Sequence, residues 1–435
     1  MWSMGTQRGL IVADDLSGAN DTGHQLAARG YPTTVVTGQE RTPTEESVVV
    51  VNTDSRYLEP GEARSAVERV VRAAPASVLY KKVDSTLRGN LVPEIEAAVD
   101  ASGADCALVA PAFPPGGRLT ACGIHLVDGR LVTDTAAGRD PEKPVASAHL
   151  PTLLGTGTRP VEHVGVETVA RGPDPVAAVV EGAGDATLAC DAVHGHHLAS
   201  LARGAARSDR DVVCVGSAGL ASAVELPEGA ASEPPEIPEP PANARVLGIA
   251  GSASPTAVEQ LAAVPDDRIV PLESARAGTD PAEAAADATE RASAVLDEVG
   301  TAVVGSVLEE GDVDRALRAG RAAGVAPGTV RERVAESLGT VASAVWERES
   351  PDGLFVTGGA VAGRVFGALG ATGVRLTGEA VEAGVPVGRL RGGTASGTPV
   401  VTKAGAFGAE RTIVNCLARL EGTDGDQASR RLDDG

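Results

Sequence analysis

GLIVADDLSGANDTG, residues 9–23, joins an apolar run to two adjacent carboxylates and a Ser-Gly turn, after which the pattern becomes helical. It reads as a buried strand, a turn and a crossover helix, with chemistry at the strand's carboxyl end. Ligands of open α/β sheets bind at that end. Asp14, Asp15 and Asp21 there can accept hydrogen bonds from a polyol, bind Mg²⁺ or take a proton, and Ser17 stands among them. A single Asp or Ser at such a place would need no more than a helix-capping role. Three carboxylates within eight residues favour function.

The same alternation continues outward. Apolar runs at Gly9–Asp15, Thr33–Thr37, Ser47–Asn52, Ser77–Val83, Cys106–Ala110, Thr187–Asp191 and Asp211–Val215 are expected strands. Between them lie amphipathic stretches such as Glu62–Ala73, with Ala66, Val67, Val70 and Val71 on one face. Near-continuous apolar strands alternating with helices predict a mostly parallel sheet covered on both faces. LPEGAASEPPEIPEPPAN, residues 226–243, interrupts this with six prolines and four glutamates, the composition of a semi-rigid linker. A second α/β pattern follows, with strands expected at Arg245–Ala250, Arg268–Pro271, Thr301–Gly305, Leu354–Thr357, Gly373–Leu376 and Pro399–Thr402 and a helix at Thr329–Trp346. The expected architecture is two three-layer α/β/α domains, residues 1–225 and 244–420, the second with a parallel or mixed sheet, joined by the linker 226–243 and followed by an acidic tail, 421–435.

Composition excludes several classes. The 435 residues carry 38 basic and 59 acidic side chains, a net charge of −21, which argues against a nucleic-acid partner. No apolar run approaches the ~18 residues of a membrane span, and no export signal is visible, so a cytoplasmic protein is expected. Five scattered cysteines fit a reducing compartment and suggest neither a disulfide scaffold nor a structural zinc site. Four lysines against 34 arginines, few aromatics and many carboxylates look like adaptation to high salt; a GC-rich genome replacing Lys by Arg is the alternative.

Half of the lysines fall in KKVDSTLRGN, residues 81–90, again after an apolar run. Arg88 suits a bidentate grip on a carboxylate. Lys81 or Lys82 can neutralise an anion, and Asp84, Ser85, Gly89 and Asn90 complete a polar loop able to hold hydroxyls. PAFPPGGRLTACGIH, residues 111–125, is a rigid loop that can place Arg118 beside an anionic ligand, while His125 reads as a packed or surface imidazole. HGHH, residues 194–197, lacks a carboxylate or Cys at ligand spacing, so a loop or helix start is favoured over a metal site. In the second half, GSASP (251–255), VTGG (356–359) and VTKAGAFG (401–408) each place Gly or Ser after a strand, where backbone N–H groups and a helix N-terminus can receive phosphate. None is a Walker loop or a dinucleotide fingerprint. Lys403 adds a cation to the last of them.

Together these motifs resemble the four-carbon acid sugar kinase family, the ATP-dependent kinases of 3-oxo-tetronate, D-threonate and D-erythronate. The resemblance rests on residues 13–23, 81–90, 111–123, GSAGLA at 216–221, 251–261, 356–359 and 401–408, in the family's order. It implies an acid-sugar domain followed by an ATP domain with the active site in the cleft between them. It also implies nucleotide contacts near Ser252, Ser254, Gly358, Gly359 and Gly405. Where the family's Gly-Gly turn usually continues with an acidic residue and Thr, Ala360 and Val361 stand here. The resulting expectation is a kinase using ATP and Mg²⁺, with Asp15 or Asp84 as proton acceptor, Asp14, Ser17, Lys82, Ser85, Arg88, Gly89, Asn90 and Arg118 holding the acid, and a homodimer by base rate. A non-catalytic sugar-acid sensor and an NAD-dependent oxidoreductase are the competing classes.

The charge balance makes a prediction of its own. At 0.01 M salt the Debye length is ~30 Å and carboxylate repulsion sums over much of the surface; at 1 M it is ~3 Å. The melting temperature should therefore rise from 0.01 M to 1 M KCl. A flat or falling series would leave the arginine excess as a genomic bias.

Overall fold

The computed structural model describes residues 7–36, 47–140, 142–227 and 239–423. Most of the expected linker and of the acidic tail, and Thr37, lie outside the described residues. The chain divides into two compact units, Met1–Pro234 and Pro235–Gly435.

In the first unit the strands are β1 Gln7–Ala13, β2 Thr33–Val36, β3 Val48–Asn52, β4 Ala76–Lys82 and β5 Cys106–Ala110, then β6 Arg118–Ala121, β7 Ile124–Val127 and β8 Arg130–Leu131, then β9 Val161–Val164, β10 Thr187–Cys190 and β11 Val212–Gly216. The large sheet has the order β2-β3-β1-β4-β11-β5-β10-β9, and its recorded pairings are all parallel. The register aligns Asn52, Ala13, Lys82, Gly216 and Ala110 in one row. Every loop that leaves this row therefore emerges on the same edge. β6, β7 and β8 form a separate antiparallel meander within the Pro/Gly-dense loop, where no strands were expected.

Apolar periodicity explains the layers. Helix Pro60–Ala73 buries Ala63, Ala66, Val67, Val70 and Val71, one stripe at helical spacing. Val48 to Val51 are buried without alternation, as in a strand covered on both faces. The first strand stops at Ala13, not at Asp15, because Asp15 is the N-cap of helix Leu16–Ala27 and accepts the Gly18 amide at 3.0 Å. The limits of this unit's other expected strands agree to within one residue, and β9 had no expected counterpart.

In the second unit the strands are β12 Val246–Ala250, β13 Ile269–Pro271, β14 Thr301–Gly305, β15 Gly353–Thr357, β16 Gly373–Glu382, β17 Val385–Arg391 and β18 Pro399–Lys403. Their order is β13-β14-β12-β15-β18-β17-β16. The first five are parallel, and β17 runs antiparallel to both neighbours, so the sheet is mixed. The expected strand at Gly373–Leu376 extends to Glu382 and returns as β17 through a two-residue Ala383-Gly384 loop, with Gly384 at φ 78°. Among the described residues no helix is long and apolar enough to cross a membrane.

One buried polar network underlies the first unit's strand ends. Lys81 is fully buried, and its Nζ lies 2.7 Å from Glu94 Oε2 and donates to the Lys82 carbonyl at 2.6 Å. Glu94 Oε1 accepts the Ser55 hydroxyl at 2.7 Å, and the Asn90 amide donates to the carbonyls of Ser55 and Leu58, each at 2.9 Å. The segment after β3 is thus held from below by β4 and by helix Leu91–Ser102. Lys81→Met would leave the Glu94 carboxyl buried without its cation, at a cost of about 3–5 kcal/mol in chemical denaturation. The double variant Lys81→Met/Glu94→Leu should recover much of that loss. Equal losses in single and double variants would remove the pair from this role.

Candidate functional site

The aligned strand ends of the first unit gather charge. Arg56, four residues beyond the end of β3, reaches the start of the segment after β1. Its Nε donates to Asp14 Oδ2 at 2.8 Å and its Nη2 to Asp14 Oδ1 at 3.1 Å. The same Nη2 donates to Asp15 Oδ1 at 2.7 Å and lies 4.0 Å from Asp84 Oδ1. One guanidinium therefore faces three carboxylates from two loops. Burial alone would raise the Asp14 carboxyl, but Arg56, Lys82 and Lys81 outweigh it and hold it below the usual range.

Asp84 is tied down as firmly. It accepts from Arg88 Nε at 2.6 Å and from the Thr86 hydroxyl at 2.5 Å. Burial pushes its carboxyl up, yet Arg56 and Arg88 hold it far below the ordinary carboxylate range. Arg88 keeps its outer end half-open: Nη1 is 3.6 Å from Asp140 Oδ2, which also accepts the Tyr57 hydroxyl at 3.1 Å. Lys82 donates to the Val83 carbonyl at 2.7 Å and sits against the start of helix Leu16–Ala27, where a Cβ on Gly18 would come within 2.7 Å of its Nζ. Asp21, on that helix, has a buried Oδ1 without a hydrogen-bond partner; burial pushes its carboxyl up to about 6, against the pull of Lys82 and with repulsion from Asp15.

Several expected ligands make contacts within the first unit's own loops. The Asn90 amide nitrogen is taken up by the loop carbonyls already described. Gly89, at φ 94°, lies where a Cβ would meet Arg56 Cγ at 2.9 Å, so its role is to let Arg56 pass. Ser85 presents its carbonyl to His125 Nε2 at 2.8 Å, and His125 Nδ1 pairs with Thr120 Oγ1 at 3.0 Å. His125 is buried, which lowers its pKa and keeps it a neutral brace between the meander and the 81–90 segment. Arg118 donates to the Gly116 carbonyl and stands 4.0 Å from Asp128, inside its own loop. Ser17 lies in the first turn of helix Leu16–Ala27. His194, His196 and His197 cluster with ring centroids 4.2–5.5 Å apart at the start of helix Gly195–Arg207, His194 stacked on His196 and His197 edge-on to His196. Among the described residues no group of three or more His, Cys, Asp or Glu could hold a metal ion. Asp14 and Asp84 have their oxygens committed to arginines, so they fit a metal poorly.

Arg56 and Asp140 are what sequence reasoning missed. The available signal was the strand-end rule itself: NTDSR, residues 52–56, follows an expected strand as ADD and KVD do.

In the second unit three strand ends again align, through the pairs Ala250 with Thr357 and Thr357 with Lys403. Their turns pack against one another around Ser252. A Cβ on Gly405 would sit 1.9 Å from Ser252 Oγ and 3.2 Å from Ser254 Cβ. A Cβ on Gly358, at φ 102°, would sit 3.4 Å from the Ser252 amide nitrogen. Gly358 caps helix Gly359–Ala368, whose first-turn amides have no intrahelical acceptor. Val361 is buried against Gly251, where a Cβ would meet its Cγ2 at 2.3 Å. The departure at Ala360-Val361 thus replaces side-chain polarity by packing and leaves the backbone donors in place. Lys403 points inward, and its ammonium donates to carbonyls of its own turn.

Comparison with known proteins matches this division. Residues 9–224 match the sugar-binding N-terminal domain model, and residues 247–413 the nucleotide-binding C-terminal domain model. The chain is 36% identical to a D-threonate kinase of Bordetella bronchiseptica, over 94% of this chain and 96% of that one. It is 32% identical to a D-erythronate kinase of Heliobacterium modesticaldum, again over 94% and 96%. The crystal structure of a Salmonella typhimurium LT2 protein labelled a tRNA synthase shares the fold, with a TM-score of 0.76 at 20% identity over 94% of this chain and 98% of that one. Domain order, motifs and relatives agree: the chain belongs to the four-carbon acid sugar kinase family and is a kinase of sugar acids.

Proposed function

We propose that the protein transfers the γ-phosphoryl group of ATP to a hydroxyl of a four-carbon sugar acid of the threonate, erythronate or 3-oxo-tetronate type. The observation that carries this reading is the cluster of Arg56, Arg88 and Lys82 with Asp14, Asp15 and Asp84 on one row of strand ends. It pairs fixed cations for an acid with a carboxylate for a hydroxyl. The second unit's aligned glycine turns and the first-turn amides of helix Gly359–Ala368 support a phosphate site there.

The geometry supports one set of roles in this reading. Arg88 is oriented by Asp84 and offers its outer nitrogens to the substrate carboxylate, displacing the long contact to Asp140. Asp15 is the proton acceptor. Its side chain is 20% exposed against 9% for Asp84, and both of its recorded bonds fall on Oδ1. Asp84, held far below the usual range, is a weak base. The substrate hydroxyl oxygen bonds to the γ-phosphorus as the bond from that phosphorus to the β,γ-bridging oxygen breaks. The electron pair leaves with ADP and the hydroxyl proton goes to Asp15. Mg²⁺, carried by the nucleotide phosphates and water, would neutralise charge on the transferred group. Phosphoryl transfer asks the protein for positioning and charge neutralisation rather than covalent chemistry.

The direct test is ADP release from Mg-ATP with and without a panel of four-carbon acids. Acid-dependent ADP is expected; binding without turnover would make the protein a sensor, and neither would end this reading. Arg88→Lys should lower kcat/KM for the acid by about 1.5–3 kcal/mol, because an ammonium cannot replace a planar fork. Unchanged kcat/KM in a folded variant would remove Arg88 from the site. Asp15→Asn should lower kcat at least tenfold with KM little changed, whereas Asp84→Asn should mainly raise KM. The reverse pattern would exchange their roles.

A further inference from the structure

Lys403 ends β18 and opens the turn that brings Gly405 against Ser252. It is 2% exposed, one of four lysines in the chain. Its Nζ donates to the carbonyl oxygens of Ala404 at 2.9 Å, Gly405 at 3.0 Å and Phe407 at 3.0 Å. An ammonium has three donors, and here all three are used by the turn it stands in. Gln260 Nε2 holds the same turn, donating to the carbonyls of Phe407 at 3.1 Å and Ala409 at 2.7 Å.

The carbonyl directions fix the amide directions. A trans peptide is planar, with its C=O and N–H pointing opposite ways, and among the described residues no peptide bond is cis. With the Ala404 and Gly405 carbonyls drawn toward Nζ, the N–H groups of Gly405 and Ala406 point away from it. Successive amides aimed outward form an anion-binding concavity. A β-carbon at Gly405 would come within 1.9 Å of Ser252 Oγ and 2.9 Å of its Cβ, so the close approach of this turn to Ser252 depends on Gly there.

We propose that Lys403 is a positioning residue that does not touch the phosphates: its ammonium turns the amides of Gly405 and Ala406 toward the phosphates of bound nucleotide, and nucleotide affinity therefore depends on its proton. This rests on the nucleotide-binding reading of the second unit. Deprotonation leaves two donors for three carbonyls and a lone pair facing oxygen. Burial lowers the Lys403 pKa to about 8, against the pull of Cys416 and Glu382. Those are the ionisable groups that face it. Burial raises the Cys416 thiol, which stays neutral in this range, and the Glu382 carboxylate is bonded by Thr412 and Asn415.

The sign separates this effect from unfolding. The folded pKa is below lysine's ordinary value of 10.5, so between about pH 8 and 10.5 the unfolded chain holds the extra proton and this group's contribution to stability rises with pH. Nucleotide affinity should move the other way. If the bound state keeps the proton, Mg-ADP binding weakens about tenfold from pH 7 to pH 9.

The experiment is calorimetric titration of the full chain with Mg-ADP at pH 7, 8 and 9, for wild type, Lys403→Arg and Lys403→Met, each checked by thermal melting. Wild-type affinity should fall about tenfold across the series, Lys403→Arg should be flat, and Lys403→Met weak throughout. If Lys403→Met does not fold, the wild-type and Lys403→Arg pair still decides. A flat wild-type series, or a parallel fall in Lys403→Arg, overturns the proposal and leaves nucleotide binding intact. No Mg-ADP binding at any pH overturns the nucleotide reading itself.

Discussion

A single guanidinium, Arg56, sets the geometry of the first unit's strand ends. Its contacts to Asp14, Asp15 and Asp84 join the segments that leave β1, β3 and β4. Charge-assisted bonds of this kind are strong but exact their desolvation cost, so each partner must be fully served. The surroundings meet that demand. Asp14 offers both oxygens to Arg56, Asp84 takes Arg88 and Thr86, and Asn90 supports the carbonyls of the segment that carries Arg56. Much of the 81–90 motif is thereby scaffolding for an arginine that lies outside it, with Gly89 as the clearest case.

The strand–turn–helix logic was legible in the sequence because it depends on apolar runs and on which residues follow them. ADD, KVD and the three Gly/Ser turns all lie at strand ends that align. What sequence could not supply was direction. Lys81 and Lys82 are neighbours on a strand, so they point to opposite faces; one is sealed in the core with Glu94 and the other stands beside Asp14 and Asp21. Arg56 is one of 34 arginines, in a segment with no repeated motif to mark it. Asn90 and Lys403 carry the right chemistry for ligands, but their donors are spent on loop carbonyls, which composition cannot reveal. The β17 return depends on a two-residue loop whose flanking strands lack strict alternation.

On the proposed reading, the two units solve different binding problems with the same frame. A small acid with hydroxyls needs charge at defined points, so the first unit uses side chains fixed by one another. A nucleotide's phosphates can be met by peptide N–H groups, and the second unit offers turns in which Gly358 and Gly405 lie close against Ser252. Its one lysine, Lys403, holds the carbonyls of the last of those turns.

The claim that Arg56 organises the acid site is tested most directly in Arg56→Lys, a variant that keeps the charge and loses the fork. The measurement is kcat/KM for acid-dependent ADP formation together with the Mg-ADP Kd of the same folded protein. The account predicts at least a tenfold loss in the first, about 1.4 kcal/mol or more, with the second unchanged. Unimpaired acid-dependent turnover would contradict it.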